Sequence, residues 1–255
     1  MLVNKPEGWT SFDVVGYLRK IFRQQHPELK KVKVGHAGTL DPFATGLLIV
    51  ALGREATREI ENFKNLNKTY EAIVKLGEIS NTGDKTGIIQ PYKFKQTIFK
   101  KLLFIVYCLF KKPDHWIPAF AGMTQQNPAE IDIKKILKNF LGKQKQTPPM
   151  FSAKKIDGKR LYSLARQGKE IKRKAHKIKI FDLKILNYNY PLLKLEISCS
   201  PGTYIRTLAE DIGKKLGAGA YCSELKRTKI GEYSLIDAIS LTSDYGLQIT
   251  KDHRL

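Results

Sequence analysis

Residues 35–46, GHAGTLDPFATG, run directly into the apolar stretch LLIVAL of residues 47–52. A short apolar run that is closed by Gly53 predicts a buried strand. The glycines before the run permit sharp turns, and Pro42 disfavours a helical backbone for the residue that precedes it. The sequence therefore predicts that Asp41 is held on a stiff loop at the edge of a sheet. An isolated Asp-Pro pair is more often a simple turn, so a chemical role for Asp41 depends on the rest of the chain.

The composition indicates a basic protein that binds a polyanion. Among its 255 residues, 45 are Lys or Arg and 24 are Asp or Glu, which gives a formal net charge of +21 and a sequence pI near 9.8. A hydrophobic fraction of 42% is typical of a globular protein and argues against global disorder. The excess of positive charge favours nucleic acid as the partner.

No sequence pattern for a membrane anchor, a metal ion or a cofactor is present. The N-terminus lacks the apolar core of a signal peptide, and the apolar run of residues 102–110 is about half of the roughly 20 residues that a transmembrane helix needs. Cys108, Cys199 and Cys222 form neither a disulfide framework nor a zinc pattern, and no glycine-rich nucleotide-binding motif occurs. We therefore expect a soluble, cytoplasmic protein that needs neither a metal nor a cofactor.

Hydrophobic periodicity predicts both helices and strands along most of the chain. Three helices are predicted. The first follows Thr10 and Ser11, the second covers residues 131–141, and the third extends from Ile205 to a stop at Gly217. The predicted strands lie at residues 70–76, 177–185 and 192–199, and residues 221–229 lead into another short strand. Because strands outnumber helices and are partly joined by hairpins, we expect an α+β fold with a mixed sheet rather than a doubly wound one.

Residues 142–179 form the most basic segment of the chain. They contain thirteen Lys or Arg residues against Asp157 and Glu170. Any three of these charges are adequately explained as a solvated face. An excess of thirteen basic over two acidic residues, on a chain that is already strongly basic, is better explained by contacts to nucleic-acid phosphates. The candidates for these backbone contacts are Lys154, Lys155, Arg160, Lys172, Arg173 and Lys174.

Six motifs occur in one order along the chain. They are NKP, Gly8 and TS within residues 4–11, GHAGTLDPFATG at 35–46, KTY at 68–70, TPPMFSAKK at 147–155, GKRLYSLARQG at 158–168 and GTYIRTLAEDIG at 202–213. Together they resemble the TruB family, the bacterial tRNA pseudouridine-55 synthases. The resemblance covers nearly the whole chain apart from roughly residues 97–128 and the C-terminal tail, and six motifs in order make chance a poor explanation.

The resemblance implies the pseudouridine synthase fold, in which helices flank a mixed, mostly antiparallel sheet with a central cleft. It also implies isomerisation of uridine to pseudouridine at position 55 in the T loop of tRNA, on a base that is flipped out of its stack. The glycosidic bond breaks, and the base turns and rejoins the ribose through C5, so no cofactor is required. The family's carboxylate nucleophile corresponds to Asp41. Attack at ribose C1′ and attack at ring C6 both stay open.

Further site residues follow from the same resemblance. Tyr70 matches the tyrosine that stacks on the target base and is implicated in moving the C5 proton. Arg206 matches the arginine that pairs with the catalytic carboxylate, which would otherwise take up a proton when buried. The substrate-binding candidates are His36, which helps to recognise and open the loop, Tyr204 and Leu225, which line the base pocket, and Lys5, which contacts phosphate or orders the N-terminal turn.

The predicted organisation is one catalytic domain over residues 1–240. Residues 97–128 have no counterpart in the family pattern, and their mixed character predicts an inserted surface segment. Residues 241–255 predict a C-terminal stub without a complete PUA domain, the small RNA-binding domain with which the family usually continues. On this interpretation, the catalytic domain and residues 142–179 hold the tRNA.

Two alternative functions stay open on the sequence alone. A guide-RNA-dependent relative modifies ribosomal RNA, although Ala44 and the length of the basic segment favour the stand-alone form. A non-catalytic RNA-binding or tRNA-folding protein suits the charge equally well, but gives no reason for the set of Asp41, Tyr70 and Arg206. Outside the context of the motifs, Tyr70 is also consistent with an ordinary aromatic residue of the core, and His36 with a structural histidine in a turn. No protein partner is implied, and a monomer is the default expectation.

Overall fold

The structure is a computed structural model that describes residues 1–28, 32–93, 127–152, 154–156, 158–241 and 247–248. Residues 97–126 of the predicted insertion and most of the predicted C-terminal stub lie outside these ranges. The side chains of two phosphate-contact candidates, Lys155 and Arg160, also lie outside what is described. None of the helices within the described ranges is long and apolar enough to cross a membrane.

Helices and strands alternate through the described part of the chain. The helices are α1 (Ser11–Gln25), α2 (Arg54–Arg58), α3 (Ile60–Lys64), α4 (Glu130–Lys138), α5 (Leu161–Arg166) and α6 (Ile205–Leu216), with a 3₁₀ turn at Leu235–Asp237. The strands are β1 (Leu2–Lys5), β2 (Val34–Ala37), β3 (Thr45–Leu52), β4 (Lys68–Leu76), β5 (Glu78–Ser80), β6 (Ile89–Pro91), β7 (Gly142–Gln146), β8 (Lys155–Ile156), β9 (Lys159–Arg160), β10 (His176–Asn189), β11 (Leu192–Cys199), β12 (Ala220–Ile230), β13 (Tyr233–Ser234), β14 (Ile239–Leu241) and β15 (Leu247–Gln248).

Eleven of these strands form one sheet. Its order is β15-β14-β1-β3-β12-β4-β11-β10-β7, with β2 paired to β3 and β13 paired to β12. The pairs β1–β14 and β3–β12 are parallel, and the other pairs in this sheet are antiparallel. The predicted mixed, mostly antiparallel sheet is therefore confirmed. Strand β3 lies inside the sheet between β1 and β12, so the Asp41 loop precedes a central strand.

The N-terminal helix begins where the sequence predicts it. Thr10 Oγ1 accepts a hydrogen bond from the Asp13 N–H at 3.1 Å, and the Asp13 carboxylate accepts one from the Thr10 N–H at 2.7 Å. This reciprocal arrangement is a capping box, which satisfies backbone donors that the first helical turn leaves free. The buried face of the helix packs on β1 and β3, and it carries Val14, Val15 and Leu18.

The main core lies between the sheet and the helices α4 and α6. Strand β4 alternates buried and half-buried residues along its whole length, as the period of two in a strand requires. Its buried side chains join those of β11 and β12, Ile133 and Leu137 of α4, and Leu208 and Ile212 of α6. Helix α6 ends at Gly217, whose left-handed backbone (φ +67°) provides the predicted stop.

Strand β12 differs from the sequence prediction. Residues 221–229 do not lead into a short strand but lie within β12, which pairs with β4, β3 and β13. Two irregularities in its register with β4, between Cys222 and Glu224 and between Arg227 and Lys229, interrupt the alternation of buried and exposed residues. The two-residue period that identifies a strand is therefore weak here.

Candidate active site

The Asp41 loop and the first turn of α6 meet in an ion pair. Arg206 Nη2 donates to Asp41 Oδ1 at 3.1 Å, and Arg206 Nε lies 2.9 Å from Asp41 Oδ2, so the contact is bidentate. Arg206 is buried, whereas the Asp41 side chain keeps 35% of its accessible surface. Burial raises the pKa of the Asp41 carboxyl, and Arg206 opposes this shift by favouring the charged form. The predicted partner of the carboxylate is therefore in place.

The Arg206 guanidinium also binds three other groups. Its Nη1 donates to the Thr82 carbonyl at 2.9 Å and to Asp84 Oδ2 at 3.1 Å. Its Nη2 donates to the Phe151 carbonyl at 2.7 Å. Both terminal nitrogens thus donate two hydrogen bonds each, which fixes the orientation of the guanidinium toward Asp41. Phe151 belongs to the motif TPPMFSAKK, so this motif reaches the Asp41–Arg206 ion pair through its backbone.

Asp84 is a second carboxylate on Arg206 that the sequence patterns did not single out. It is buried, and its Oδ1 accepts hydrogen bonds from the Thr82 hydroxyl at 2.8 Å and from the Thr86 N–H at 2.9 Å. Gly83 (φ +74°) lets this loop approach α6, because an added Cβ would lie 3.4 Å from Arg206 Cβ and clash with Glu210. The signal in the sequence was an Asp between two threonines in a glycine-bounded loop.

Asp41 and Arg206 open onto a cavity of about 310 Å³. Its size is at the lower end of the range for small-molecule sites. The cavity brings together five of the predicted site residues from four separate segments. They are Asp41, Tyr70, Tyr204, Arg206 and Leu225. The lining also includes residues that were not predicted as site residues, among them Lys68 and Thr203, which lie in two of the motifs, and Arg227.

Tyr70 and Leu225 form buried walls of the cavity. Tyr70 lies on β4 and is 9% exposed, and Leu225 lies on β12 and is 7% exposed. Burial raises the pKa of the Tyr70 hydroxyl, and the neighbouring Arg227 opposes the shift. The phenol is therefore protonated at neutral pH and presents an uncharged ring to the cavity.

Tyr204 is held at the start of α6 by a buried side chain from β7. Its N–H donates to Gln146 Oε1 at 2.8 Å, and its carbonyl accepts from Gln146 Nε2 at 3.0 Å. Tyr204 occupies the N-cap position but makes no side-chain cap hydrogen bond. The Gln146 amide therefore fixes the backbone that precedes Ile205 and Arg206. No local pattern indicated this role for Gln146.

Lys5 is fully buried beside the Asp41 loop, and it does not line the cavity. Its ammonium group donates to the carbonyls of Pro6 at 2.8 Å, Trp9 at 2.6 Å and Pro42 at 3.3 Å. Burial lowers its pKa to about 8. A fully buried ammonium with three carbonyl partners cannot reach a phosphate, so of the two predicted roles the structure supports the ordering of the N-terminal turn.

His36 lies on β2, opposite Val50 of β3, and is not part of the cavity lining. Burial lowers the pKa of its imidazole, with Arg227 and Lys64 adding to the effect. Its buried Nδ1 has no hydrogen-bond partner among the described residues. The predicted role in recognising and opening the RNA loop therefore stays a prediction.

The basic segment of residues 142–179 contains side chains that are exposed and side chains that bind other groups of the protein. Lys154, Lys172 and Lys174 are exposed, as phosphate contacts require. Arg173 is half-buried, and its Nη1 donates to the Pro148 carbonyl at 3.2 Å while its Nη2 lies 3.3 Å from Glu170. Arg173 thus ties this segment to the motif TPPMFSAKK, and its prediction as a free phosphate contact is not supported by its position.

Two family models match the chain. The model for the N-terminal domain of TruB family pseudouridylate synthases matches residues 19–106 and 113–205, and the model for the C-terminal domain of tRNA pseudouridylate synthase B matches residues 206–245. The chain belongs to the TruB family. The TruB match extends over both ends of the predicted insertion at residues 97–128, and the domain limits stay predictions.

Curated TruB-family relatives are similar over most of this chain. A tRNA pseudouridine synthase B from Parabacteroides distasonis is 42% identical over 91% of this chain and 85% of its own length. The protein of the same name from Syntrophomonas wolfei is 41% identical over 94% of this chain and 69% of its own length. That from Chloroherpeton thalassium is 38% identical over 93% of this chain and 85% of its own length.

Solved structures with a similar fold include larger proteins. A chain in a Cbf5–Nop10–Gar1 complex is 26% identical and superimposes with a TM-score of 0.61. A chain in an H/ACA RNP bound to a substrate RNA containing 2′-deoxyuridine is 24% identical with a TM-score of 0.58, which supports the fold alone. This TruB-family chain is covered to 94% in both comparisons but spans only 52% and 50% of those chains.

Proposed function

We propose that this TruB-family protein converts uridine to pseudouridine in tRNA, at position 55 of the T loop, with Asp41 as the nucleophile. The observation that carries the proposal is the Asp41 carboxylate, which is paired bidentately with Arg206 and still open to the cavity. Burial raises the pKa of this carboxyl, Arg206 opposes that shift by favouring the charged, nucleophilic form, and the carboxylate lines the cavity. The names of the curated relatives support tRNA as the substrate.

The proposed reaction follows from the positions of the lining residues. A uridine flipped out of the T loop fills the cavity, with Tyr70 and Leu225 against the base. Asp41 attacks either ribose C1′ or ring C6, and the N-glycosidic bond breaks. The base turns and rejoins the ribose through C5, after which C5 loses its proton, N1 takes up a proton and the carboxylate is released. No atom is gained or lost overall, and no oxidant or reductant is needed.

Binding of the tRNA is proposed to depend on the exposed lysines of residues 142–179. Lys154, Lys172 and Lys174 offer charge to the phosphates without prior ion pairs in the described structure. A monomer that acts in the cytoplasm is part of the same proposal. The guide-dependent alternative is less well supported, because the relatives that match most of the chain are named for tRNA.

The first test is to incubate the purified protein with unmodified tRNA transcript and to map pseudouridine at each uridine. We expect product at position 55, and Asp41→Asn should abolish it while tRNA affinity stays within a few fold. Asp132→Asn is the matched control, because Asp132 is exposed on α4, and it should retain full activity. Binding without product by the wild-type protein would support the non-catalytic alternative and refute the enzyme.

A further inference from the structure

Arg227 is a buried arginine that the proposed reaction does not use. It lies on β12, is 1% exposed and lines the cavity. None of the ion pairs among the described residues includes it. A buried charge without a carboxylate partner costs free energy unless its donors are satisfied in another way. The partners of this guanidinium therefore indicate its role.

The Arg227 guanidinium joins the two ends of the loop that carries Asp41. Its Nε donates to the Leu47 carbonyl at 2.7 Å, and its Nη2 donates to the Gly38 carbonyl at 3.0 Å. Gly38 precedes Asp41, and Leu47 follows it in β3. A planar guanidinium can bridge two carbonyls in this way because its donors have a fixed geometry. With its Nε donor and one Nη2 donor bound to this backbone, the buried group is a brace for the loop.

Arg227 also faces Tyr70 across the sheet. The two residues are direct partners in the antiparallel pair of β4 and β12, and both line the cavity. Side chains of directly opposed residues project from the same face of a sheet. Burial raises the pKa of the Tyr70 hydroxyl, and the positive charge of the neighbouring Arg227 opposes that rise. One guanidinium thus acts on both the nucleophile loop and the proposed stacking tyrosine.

Gly46 makes this arrangement possible. It pairs with Arg227 in the parallel contact between β3 and β12, and its backbone has φ +103°. An added Cβ would lie 2.3 Å from the Arg227 carbonyl oxygen and 2.7 Å from its amide nitrogen. Only glycine allows the two backbones to come this close. Gly46, the last residue of the motif GHAGTLDPFATG, therefore allows β12, and with it Arg227, to lie against the Asp41 loop.

We propose that Arg227 is a positioning residue, whose guanidinium fixes the Asp41 loop through the Gly38 and Leu47 carbonyls and lies beside Tyr70 at the same cavity. The inference rests on the proposed function, because its effect is read in pseudouridine formation. Arg227 does not donate to Asp41 itself, so it acts through the loop backbone and through Tyr70.

The test compares Arg227→Gln with Lys229→Gln, an exposed residue on the same strand. For each purified variant, we would measure the single-turnover rate at saturating tRNA transcript, the tRNA Kd and the thermal midpoint. We expect Arg227→Gln to lower the saturating rate by about 100-fold, as a misplaced catalytic group does, with Kd changed only a few fold. Lys229→Gln should match the wild type. Added guanidinium ion should partly restore the rate of Arg227→Ala, which a purely structural role would not produce.

The outcomes separate this inference from the proposed function. A wild-type protein without product would refute the function, whereas an active wild type with an equally active Arg227→Gln would refute the role of Arg227. A higher Kd with an unchanged saturating rate would assign Arg227 to RNA binding and would also overturn the inference. If the Gln and Ala variants do not fold, Arg227→Lys keeps the charge but replaces the two separate nitrogens that bind Leu47 and Gly38 by a single one. We expect that variant to be slow, and a wild-type rate would contradict the proposal.

Discussion

Arg206 connects three loops to α6 through one guanidinium group. Its donors bind the Asp41 carboxylate, the Asp84 carboxylate and the carbonyls of Thr82 and Phe151. Asp41 and Asp84 both bind the Arg206 guanidinium. A change in the position of either carboxylate therefore affects the contact that the guanidinium makes with the other. Asp84 accepts three hydrogen bonds from threonine groups, which hold its side chain in place from the far side. The orientation of Arg206 toward Asp41 therefore depends on Asp84.

At the scale of the residue, we predict that Asp84→Asn slows pseudouridine formation. An amide carries no charge, so Arg206 Nη1 loses its ion pair and the guanidinium can turn away from Asp41. A shift of this kind costs about 10–100-fold in rate. The measurement is the single-turnover rate at saturating tRNA transcript, with tRNA affinity expected to be unchanged.

Asp237→Asn serves as the control for Asp84→Asn, because Asp237 is exposed and far along the chain from the Arg206 contacts. It should retain the wild-type rate. A wild-type rate for Asp84→Asn, measured on a folded protein, would show that the Asp41 contact alone orients Arg206.

At the scale of the element, the start of α6 depends on β7. The sequence predicted the helix and its glycine stop, but the N-cap residue Tyr204 has no side-chain cap of its own. Gln146, the last residue of β7, satisfies both backbone groups of Tyr204 instead. Strand β7 is also the first part of the basic segment, so the surface proposed to bind RNA and the helix that carries Arg206 are physically joined.

We predict that Gln146→Ala destabilises the protein by about 1–3 kcal/mol, since it leaves a Tyr204 backbone donor without its partner. Chemical denaturation would measure the change, with Lys145→Ala, an exposed substitution on the same strand, as the control. The rate should fall as well, because Arg206 follows Tyr204 by two positions. Equal stability of the two variants would mean that water replaces the Gln146 amide.

At the scale of the whole molecule, the basic residues that produce the formal charge of +21 are not all available to bind RNA. Several basic side chains are buried and bind protein groups, among them Lys5, Lys68, Arg206 and Arg227. Arg173 is partly engaged by Pro148 and Glu170. The charge available to RNA is therefore smaller than the composition suggests, and exposed lysines such as Lys172 and Lys174 carry it.

We predict that the double variant Lys172→Ala, Lys174→Ala weakens tRNA binding and flattens its salt dependence. The slope of log K against log salt should fall by about 0.7–0.9 for each phosphate that the variant no longer neutralises. Titrations at several salt concentrations would measure this slope. The control is Lys135→Ala, Lys138→Ala, which removes two exposed charges from α4. Equal slopes for both double variants would place residues 172–174 away from the RNA.

Local patterns in the sequence determined the elements and the identity of the central groups. The helix that follows Thr10 and the alternating strand at residues 70–76 depend on short-range features, so they could be predicted and are confirmed. The resemblance to TruB proteins indicated Asp41 and Arg206, which are 165 positions apart and in contact. For β12, register irregularities obscured the period, and its extent could not be read from the sequence.

The tertiary structure alone decided which charged groups serve the cavity and which hold the fold. The carbonyls that Arg227 binds, and the Pro42 carbonyl that Lys5 binds, come from distant segments, and every residue has a carbonyl, so no sequence motif marks such a contact. Burial is likewise a property of the assembled sheet. Asp41 was recognisable from the sequence as a carboxylate on a stiff loop, but the groups that hold this loop became visible only when β12 was placed against β3.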